Sequence, residues 1–255
     1  MSPAVMADDS AFQSELHEAF VKAKPETMGA LRKLLQDFTK ATDEKLRLPH
    51  LLELYRRIHA LTGSAGIAGF GSVAQMTAAL EVLLKELYEK PKNINASTIR
   101  TVAHSIDFLA ELFRCTETDS SQAPPANILV VDDEILSRRA ITYALEKANL
   151  KAVNLEDPQL ALKMASETAF DLIFLDVMMP AMDGFELCQK IRNHSTNRST
   201  PIIFVTSLTD FKSRAKSSLS GGNDLIAKPF MFIELTVKAL THVLRGRVKQ
   251  RKKAA

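Results

Sequence analysis

The sequence predicts two domains of different fold class: an all-α helical bundle, then an α/β domain with a doubly wound, five-stranded parallel sheet. Two observations lead there. The 255 residues are enough for two ordinary domains, and the spacing of apolar residues changes near mid-chain. Between the two patterns, residues 116–127 read TETDSSQAPPAN, a polar stretch with two consecutive prolines that is typical of a linker. We therefore expect a bundle at 10–115, a linker at 116–127, a second domain at 126–245 and a basic tail at 246–255.

The first half shows helical spacing of its apolar residues. Such spacing follows Pro25 and Pro49, which are predicted to start two helices, and it returns at 73–87 and 97–113. A glycine-rich bend is predicted at 63–71. Because amphipathic helices with short connections bury their apolar stripes best against one another, we expect an antiparallel bundle.

The second half alternates between strand and helix patterns. Short apolar runs predict strands at 128–131, 152–154, 172–175, 202–205 and 225–227. Helical segments at 137–148 and 158–168 separate the first three runs, and further helical segments follow. This alternation predicts a parallel sheet with helices on both faces and right-handed crossovers.

Four of these predicted strands end in residues suited to metal and phosphate chemistry. Asp132 and Asp133 follow the first strand, Asp176 ends the third, Thr206 ends the fourth and Lys228 follows the fifth. Ligands bind at the carboxyl ends of such strands, and crowded carboxylates need a hard cation such as Mg²⁺. A carboxylate beside Mg²⁺ can attack phosphorus while the lysine and hydroxyl neutralise phosphoryl oxygens. Each residue alone could merely cap a strand, but together they predict a phosphoryl-transfer site.

The stretches VVDDE, FLDVMMPAMDG, PIIFVTS and AKPF resemble the receiver domain of two-component response regulators, which has a flavodoxin-like fold. The resemblance implies that Asp176 is the phosphoacceptor. It also implies that Asp133, Asp176 and the backbone carbonyl of Met178 bind Mg²⁺ directly, and that Asp132 acts through water.

The same resemblance implies that Thr206 binds the phosphoryl group and that Lys228 pairs with it, while Pro180 and Gly184 match the loop after the acceptor. One position departs from the family pattern. The family usually has Tyr or Phe three residues before the lysine, and this chain has Leu225. Leucine offers neither an aromatic swing nor a hydroxyl, so we expect the phosphorylation chemistry to remain while the usual route to an output surface is in question.

In the first half, His59 is distinguished from the other histidines by its neighbours. It lies one position past the apolar residue Ile58 and therefore points about 100° away from the buried stripe. The small residues TGSAG come soon after it, which leaves the ring unshielded. An exposed imidazole of this kind is nucleophilic near neutral pH.

Residues 10–115 resemble histidine phosphotransfer (HPt) domains, particularly the one at the N-terminus of chemotaxis kinases, through HALTGSAGIAGF and the helix VAQMTAALEVLL. The resemblance implies that His59 is a phosphoacceptor and that Glu81 holds its other ring nitrogen. Thr62 stands where the family commonly has a lysine, and Arg56, on the same face as His59, is our candidate for the missing charge. The alternative is an inactive histidine site in a bundle that serves only for docking.

The leading hypothesis is a cytoplasmic phosphorelay protein that carries phosphoryl groups on His59 and Asp176. It would exchange them with a histidine kinase, another receiver or an HPt protein. The sequence has no GxGxxG or GxxxxGK[ST] stretch, so phosphate must come from a partner. We expect no enzyme activity beyond the receiver's help in its own Mg²⁺-dependent phosphorylation and dephosphorylation. Two alternatives remain: a regulator of an enzymatic or DNA-directed output module, and a scaffold whose phosphorylation controls dimerisation or docking.

The cysteines, the length of the apolar runs and the distribution of charge give further expectations about the cellular compartment and about partners. Cys115 and Cys188 are far apart and lack metal-ligand spacing, which indicates reduced thiols. No apolar run approaches the roughly 20 residues of a membrane helix, and the early Asp8 and Asp9 argue against a signal peptide. Six basic residues and no acid lie in 245–253. We interpret them as a solvated helix end or linker, with contact to nucleic acid or an anionic membrane as the alternative.

Overall fold

The computed structural model of the protein describes residues 3–114, 125–207 and 219–254. They form two compact units that divide between Ala123 and Pro124, inside the predicted linker. Cys115 and linker residues 116–124 lie outside the described residues. Within the described ranges, no helix has the length and apolar character needed to cross a membrane.

Four α-helices make up the described part of the N-terminal unit, which confirms the predicted all-α fold. They are α1 (Pro3–Lys40), α2 (Glu44–Ile67), α3 (Gly71–Glu89) and α4 (Ala96–Arg114), with a short 3-10 helix at Pro91–Asn93. Helix α1 packs against α2 and α4, and α3 packs against α2 and α4. The apolar stripes read from the sequence face this interior: Leu31, Ile58, Leu80 and Ile106 are fully buried.

Helix α1 continues without a break through Pro25, where the sequence predicted a helix start. A proline inside a helix removes one backbone hydrogen bond, and here the turns before it are held by packing. His17 stacks on Phe70 with ring centroids 4.6 Å apart. The buried Lys24 donates to the carbonyl oxygen of Phe113 at 3.0 Å. These contacts favour continuing the helix over starting a new one at the proline.

Helix α2 also differs from its prediction at both ends. It begins before Pro49, because the Asp43 carboxylate caps it by accepting the backbone N–H of Lys45 at 3.2 Å. It then continues through Gly63 and ends at Ile67, so the first part of the predicted bend at 63–71 is helical. A helical glycine costs roughly 1 kcal/mol relative to alanine, and the buried neighbours on the same turns outweigh that cost.

The C-terminal unit is the predicted doubly wound sheet. Its strands are β1 (Asn127–Val131), β2 (Lys151–Leu155), β3 (Leu172–Asp176), β4 (Ile202–Thr206) and β5 (Asp224–Ala227). All are parallel, in the order β2-β1-β3-β4-β5. Strands β3 and β4 are buried along their whole length, which explains their unbroken apolar sequence. Strand β2 lies at an edge and is largely exposed, which explains its weak signal.

The described helices of this unit are α5 (Ile135–Glu146), α6 (Pro158–Glu167), α7 (Gly184–Asn193) and α8 (Phe232–Ala254). Helix α8 packs against α5 and β3. The stretch predicted as a basic tail at 246–255 continues α8 as far as Ala254, so this charged segment is helical. Strand order reverses between β1 and β3, and it is at this switch point that ligands bind in such sheets.

Candidate functional site

An acidic pocket lies at the carboxyl edge of the sheet. Asp132 and Asp133 follow β1, and Asp176 ends the neighbouring strand β3, so the pairing of Val131 with Leu175 brings the three together. Each of the three offers a carboxylate oxygen within 4.8 Å of the other two. Hard oxygen donors at this spacing fit Mg²⁺, which prefers carboxylates and water.

Asp132 is the most enclosed of the three acids, with no exposed surface. Its Oδ2 accepts the Ser137 hydroxyl at 2.5 Å and the Lys228 ammonium at 2.8 Å, and its Oδ1 accepts the backbone N–H of Glu134 at 2.9 Å. A buried carboxylate needs this set of partners. The water-mediated role of Asp132 at the metal, implied by the resemblance, stays a prediction. Sequence reasoning missed Ser137, whose signal is its place near the start of α5.

Lys228 links two of the acids. Its Nζ lies 2.8 Å from Asp132 Oδ2 and 2.9 Å from Asp176 Oδ1, and its backbone N–H donates to the Thr206 carbonyl at 2.8 Å. Burial acts to lower the pKa of Lys228, but the hydrogen bonds and charges of both carboxylates outweigh it and raise the pKa. The lysine therefore stays charged beside Asp176.

Asp176 is only 4% exposed. Burial raises its pKa and the Asp132 charge adds to that rise, while Lys228 and the Met178 backbone N–H, which donates to Oδ2 at 2.9 Å, act to lower it. Burial is the largest cause of the raised pKa at this residue, ahead of the neighbouring Asp132 carboxylate.

Thr206 and Met178 lie beside the acceptor strand. Thr206 ends β4, is fully buried, and stands one residue past Val205, which pairs with Asp176. The backbone of Met178 reaches Asp176 through its N–H; the use of its carbonyl as a metal ligand stays a prediction.

The loop after the acceptor explains the place of Gly184. A Cβ atom there would lie 2.0 Å from the Asp176 carbonyl oxygen, and the Gly184 N–H donates to the Val177 carbonyl at 3.0 Å. Asp183 caps α7 by accepting the Glu186 N–H at 2.7 Å. The start of α7 therefore rests on the backbone of the acceptor residue, where only glycine fits.

Leu225, the position that departs from the family pattern, lies in β5. Its side chain is partly buried and packs against the core cluster that includes Phe204. The neighbouring Asp224 carboxylate accepts the Lys238 ammonium at 2.6 Å. Position 225 is thus an aliphatic core contact.

In the N-terminal unit, His59 is held at one ring nitrogen and open elsewhere. Its side chain is 68% exposed, and its Nδ1 lies 2.9 Å from Glu81 Oε1 on α3. The Tyr55 ring stacks beside it at a centroid distance of 6.2 Å. Sequence reasoning missed Tyr55, whose signal is an aromatic residue one helical turn before the histidine.

The other candidate residues around His59 differ in their hydrogen bonding and exposure. The Thr62 hydroxyl donates to the Ile58 carbonyl at 2.9 Å, within its own helix. Arg56 is exposed one turn before His59. At Gly63, one turn after His59, a Cβ atom would meet nothing within 4 Å. The structure therefore leaves open space at Gly63 and an exposed arginine side chain one helical turn before the imidazole.

Comparison with known proteins agrees with this geometry in the C-terminal unit. The family model described as the response regulator receiver domain matches residues 128–240. Transcriptional regulatory protein ResD of Bacillus subtilis is 40% identical over 121 residues, which cover 47% of this chain and 49% of ResD. Protein PilG of Pseudomonas aeruginosa is 32% identical over 122 residues, which cover 48% of this chain and 90% of PilG.

Among solved structures, the chemotaxis response regulator CheY4 of Vibrio cholerae aligns with a TM-score of 0.44 and 32% identity, covering 47% of this chain and 99% of CheY4. The matched stretch is about half the length of ResD and nearly all of PilG. Through residues 128–240, the chain belongs to the response regulator receiver family of two-component signalling.

Proposed function

We propose that this protein is a phosphorelay component that carries phosphoryl groups on Asp176 and on His59. The observation that carries the proposal is the cluster of the buried Asp132 and Asp176 with the exposed Asp133, in which Lys228 bridges the two buried acids. Phosphate would come from a partner, such as a histidine kinase, another receiver or an HPt protein. The chain would act as a phosphoacceptor and not as an enzyme on a separate substrate.

At the receiver site, an Asp176 carboxylate oxygen would attack phosphorus. The new O–P bond forms as the bond from phosphorus to the donor breaks, and the donor keeps that electron pair. Asp133 and Asp176, with the Met178 carbonyl and Asp132 through water, would hold Mg²⁺, which supplies neutralisation of charge on the phosphoryl oxygens. Lys228 supplies a further positive charge beside Asp176, and Thr206 lies at the same edge of the sheet to bind the phosphoryl group.

At the histidine site, the reacting atom would be Nε2 of His59. With the proton on Nδ1, the Nδ1–H would donate to Glu81 Oε1, which lies 2.9 Å away, and the Nε2 lone pair would be available for attack. As the N–P bond forms, the bond from phosphorus to the donor would break and the donor would keep that electron pair. The ring gains positive charge, which the Glu81 carboxylate would stabilise. Arg56, exposed one turn before His59, would neutralise the phosphoryl oxygens in the role of the missing lysine.

A second candidate function keeps the receiver chemistry and gives the bundle a docking role only. The observation that favours it is Thr62, which stands where the family commonly has a lysine and whose hydroxyl donates to the Ile58 carbonyl. In that case the receiver would control partner docking or an output module through phosphorylation of Asp176.

One labelling experiment separates the two candidates. The full chain is incubated with ³²P-labelled phosphoramidate, and the label is tested for loss in acid and in base. Phosphohistidine is lost in acid and aspartyl phosphate in base, so a relay component carries both kinds of label. An acid-labile fraction that disappears in His59→Gln supports the relay, and its absence from the wild type supports the docking role.

A further inference from the structure

We infer that Arg138 is a positioning residue that fixes the pair of acids after β1, a role that rests on the proposed function of this pocket. Arg138 lies near the start of α5, and its side chain is 14% exposed. Its Nη1 donates to the backbone carbonyl of Asp132 at 2.7 Å and to that of Asp133 at 3.1 Å. Its Nη2 donates to Glu156 Oε2 at 3.1 Å. One guanidinium therefore spans three oxygens, two of them on the backbone of the acidic pair.

The two acids depend on Arg138 to different degrees. The Asp132 carboxylate is held by Ser137, Lys228 and a backbone N–H. Asp133 is exposed, and among the residues that the structure describes no hydrogen bond holds its carboxylate. The position of the Asp133 side chain is therefore set by its backbone, and Arg138 is the side chain that binds the carbonyl of that residue.

The chemistry of arginine suits this task. Its planar fork of donors has fixed directions, and hydrogen bonds from a charged donor are stronger than neutral ones. Mg²⁺ requires nearly ideal octahedral geometry, so a ligand that drifts binds it less well. Groups that orient metal ligands typically change metal affinity by about 10- to 100-fold when they are removed. We therefore expect the loss of Arg138 to weaken divalent-ion binding through Asp133.

Mn²⁺ binding to the full-length chain provides the test, followed by electron paramagnetic resonance and by displacement with Mg²⁺. Arg138→Met keeps most of the apolar stem and removes the donors, and its dissociation constant for Mn²⁺ should rise about tenfold. Arg139→Met is the matched control, because Arg139 is the next residue and is exposed; its dissociation constant should equal that of the wild type. Thermal unfolding without metal, measured by circular dichroism, accompanies each variant.

The readouts separate a positioning role from a merely structural one. A structural role would lower the unfolding temperature of Arg138→Met and leave the Mn²⁺ affinity of the folded protein unchanged. Arg138→Lys, which keeps the charge but cannot span three oxygens, provides a second folded variant and should show an intermediate loss. If both Arg138 variants bind Mn²⁺ with wild-type affinity, the inference about Arg138 is overturned and the proposed function is not affected. If the wild type itself binds no divalent ion, the metal chemistry of the proposed function fails together with it.

Discussion

The two phosphoacceptor candidates are built in opposite ways. Asp176 is 4% exposed and is held by Lys228 and by the backbone of Met178, within a pocket made from four strand ends. The His59 side chain is 68% exposed and is held at one atom by Glu81. A buried, preorganised acceptor can bring its own electrostatic stabilisation to the reaction. An exposed imidazole supplies only the nucleophile, so the docked partner would have to supply most of the electrostatic stabilisation.

This difference predicts that backbone changes near Asp176 have the largest effects. Gly184→Ala would place a Cβ atom against the Asp176 carbonyl oxygen and push the acceptor out of position. A displacement of about 1 Å can cost about 100-fold in rate, so labelling of Asp176 by acetyl phosphate should slow by about that factor.

The matched control for this change is Gly29→Ala in α1, where an added Cβ meets nothing within 4 Å. Labelling is measured per folded molecule, with the folded fraction taken from circular dichroism. If folded Gly184→Ala is labelled at the rate of the control, the acceptor tolerates displacement. The claim that Asp176 depends on a fixed position, in contrast to His59, would then be wrong.

At the histidine site we expect a smaller effect from its one polar contact. Glu81→Gln keeps the shape of the side chain and removes the charge that stabilises the phosphorylated ring. One hydrogen bond to a charged group contributes roughly 1.5 kcal/mol, so labelling of His59 by phosphoramidate should slow about tenfold. Glu86→Gln, on the same helix and paired with Lys90, should leave the rate unchanged. Equal rates in the two variants would remove Glu81 from the mechanism.

The smallest expected effect concerns Arg56. An exposed charge contributes about 0.2–1 kcal/mol, so Arg56→Ala should slow labelling of His59 by roughly threefold without lowering the unfolding temperature. Arg57→Ala is the control, since Arg57 pairs with Glu53 at 3.0 Å. If Arg57→Ala slows labelling as much as Arg56→Ala does, the effect is general surface charge and Arg56 has no particular role.

The fold and the receiver pocket were accessible from sequence because their signals are local. Buried parallel strands read as apolar runs, and Asp132, Asp176 and Lys228 each follow or end such a run. The same reasoning failed at Pro25 and Pro49, where packing and a cap override the tendency of proline to start a helix.

Other parts of the two sites depend on the reach of side chains, which spacing does not show. Arg138 extends back to two carbonyls that precede its own helix, and Ser137 reaches a buried carboxylate. Tyr55 becomes part of the histidine site only because its ring lies flat beside the imidazole. These residues carry no motif of their own, so the structure was needed to find them.

The central claim is that Asp176 accepts a phosphoryl group in a pocket that requires a hard divalent cation. The most direct measurement is base-labile ³²P labelling of the full chain by acetyl phosphate, with Mg²⁺ or with EDTA, in the wild type and in Asp176→Asn. We predict labelling of the wild type with Mg²⁺, its loss in EDTA, and no base-labile label in Asp176→Asn under either condition. Equal labelling of the wild type in EDTA, or full base-labile label in Asp176→Asn, would contradict the assignment of this pocket.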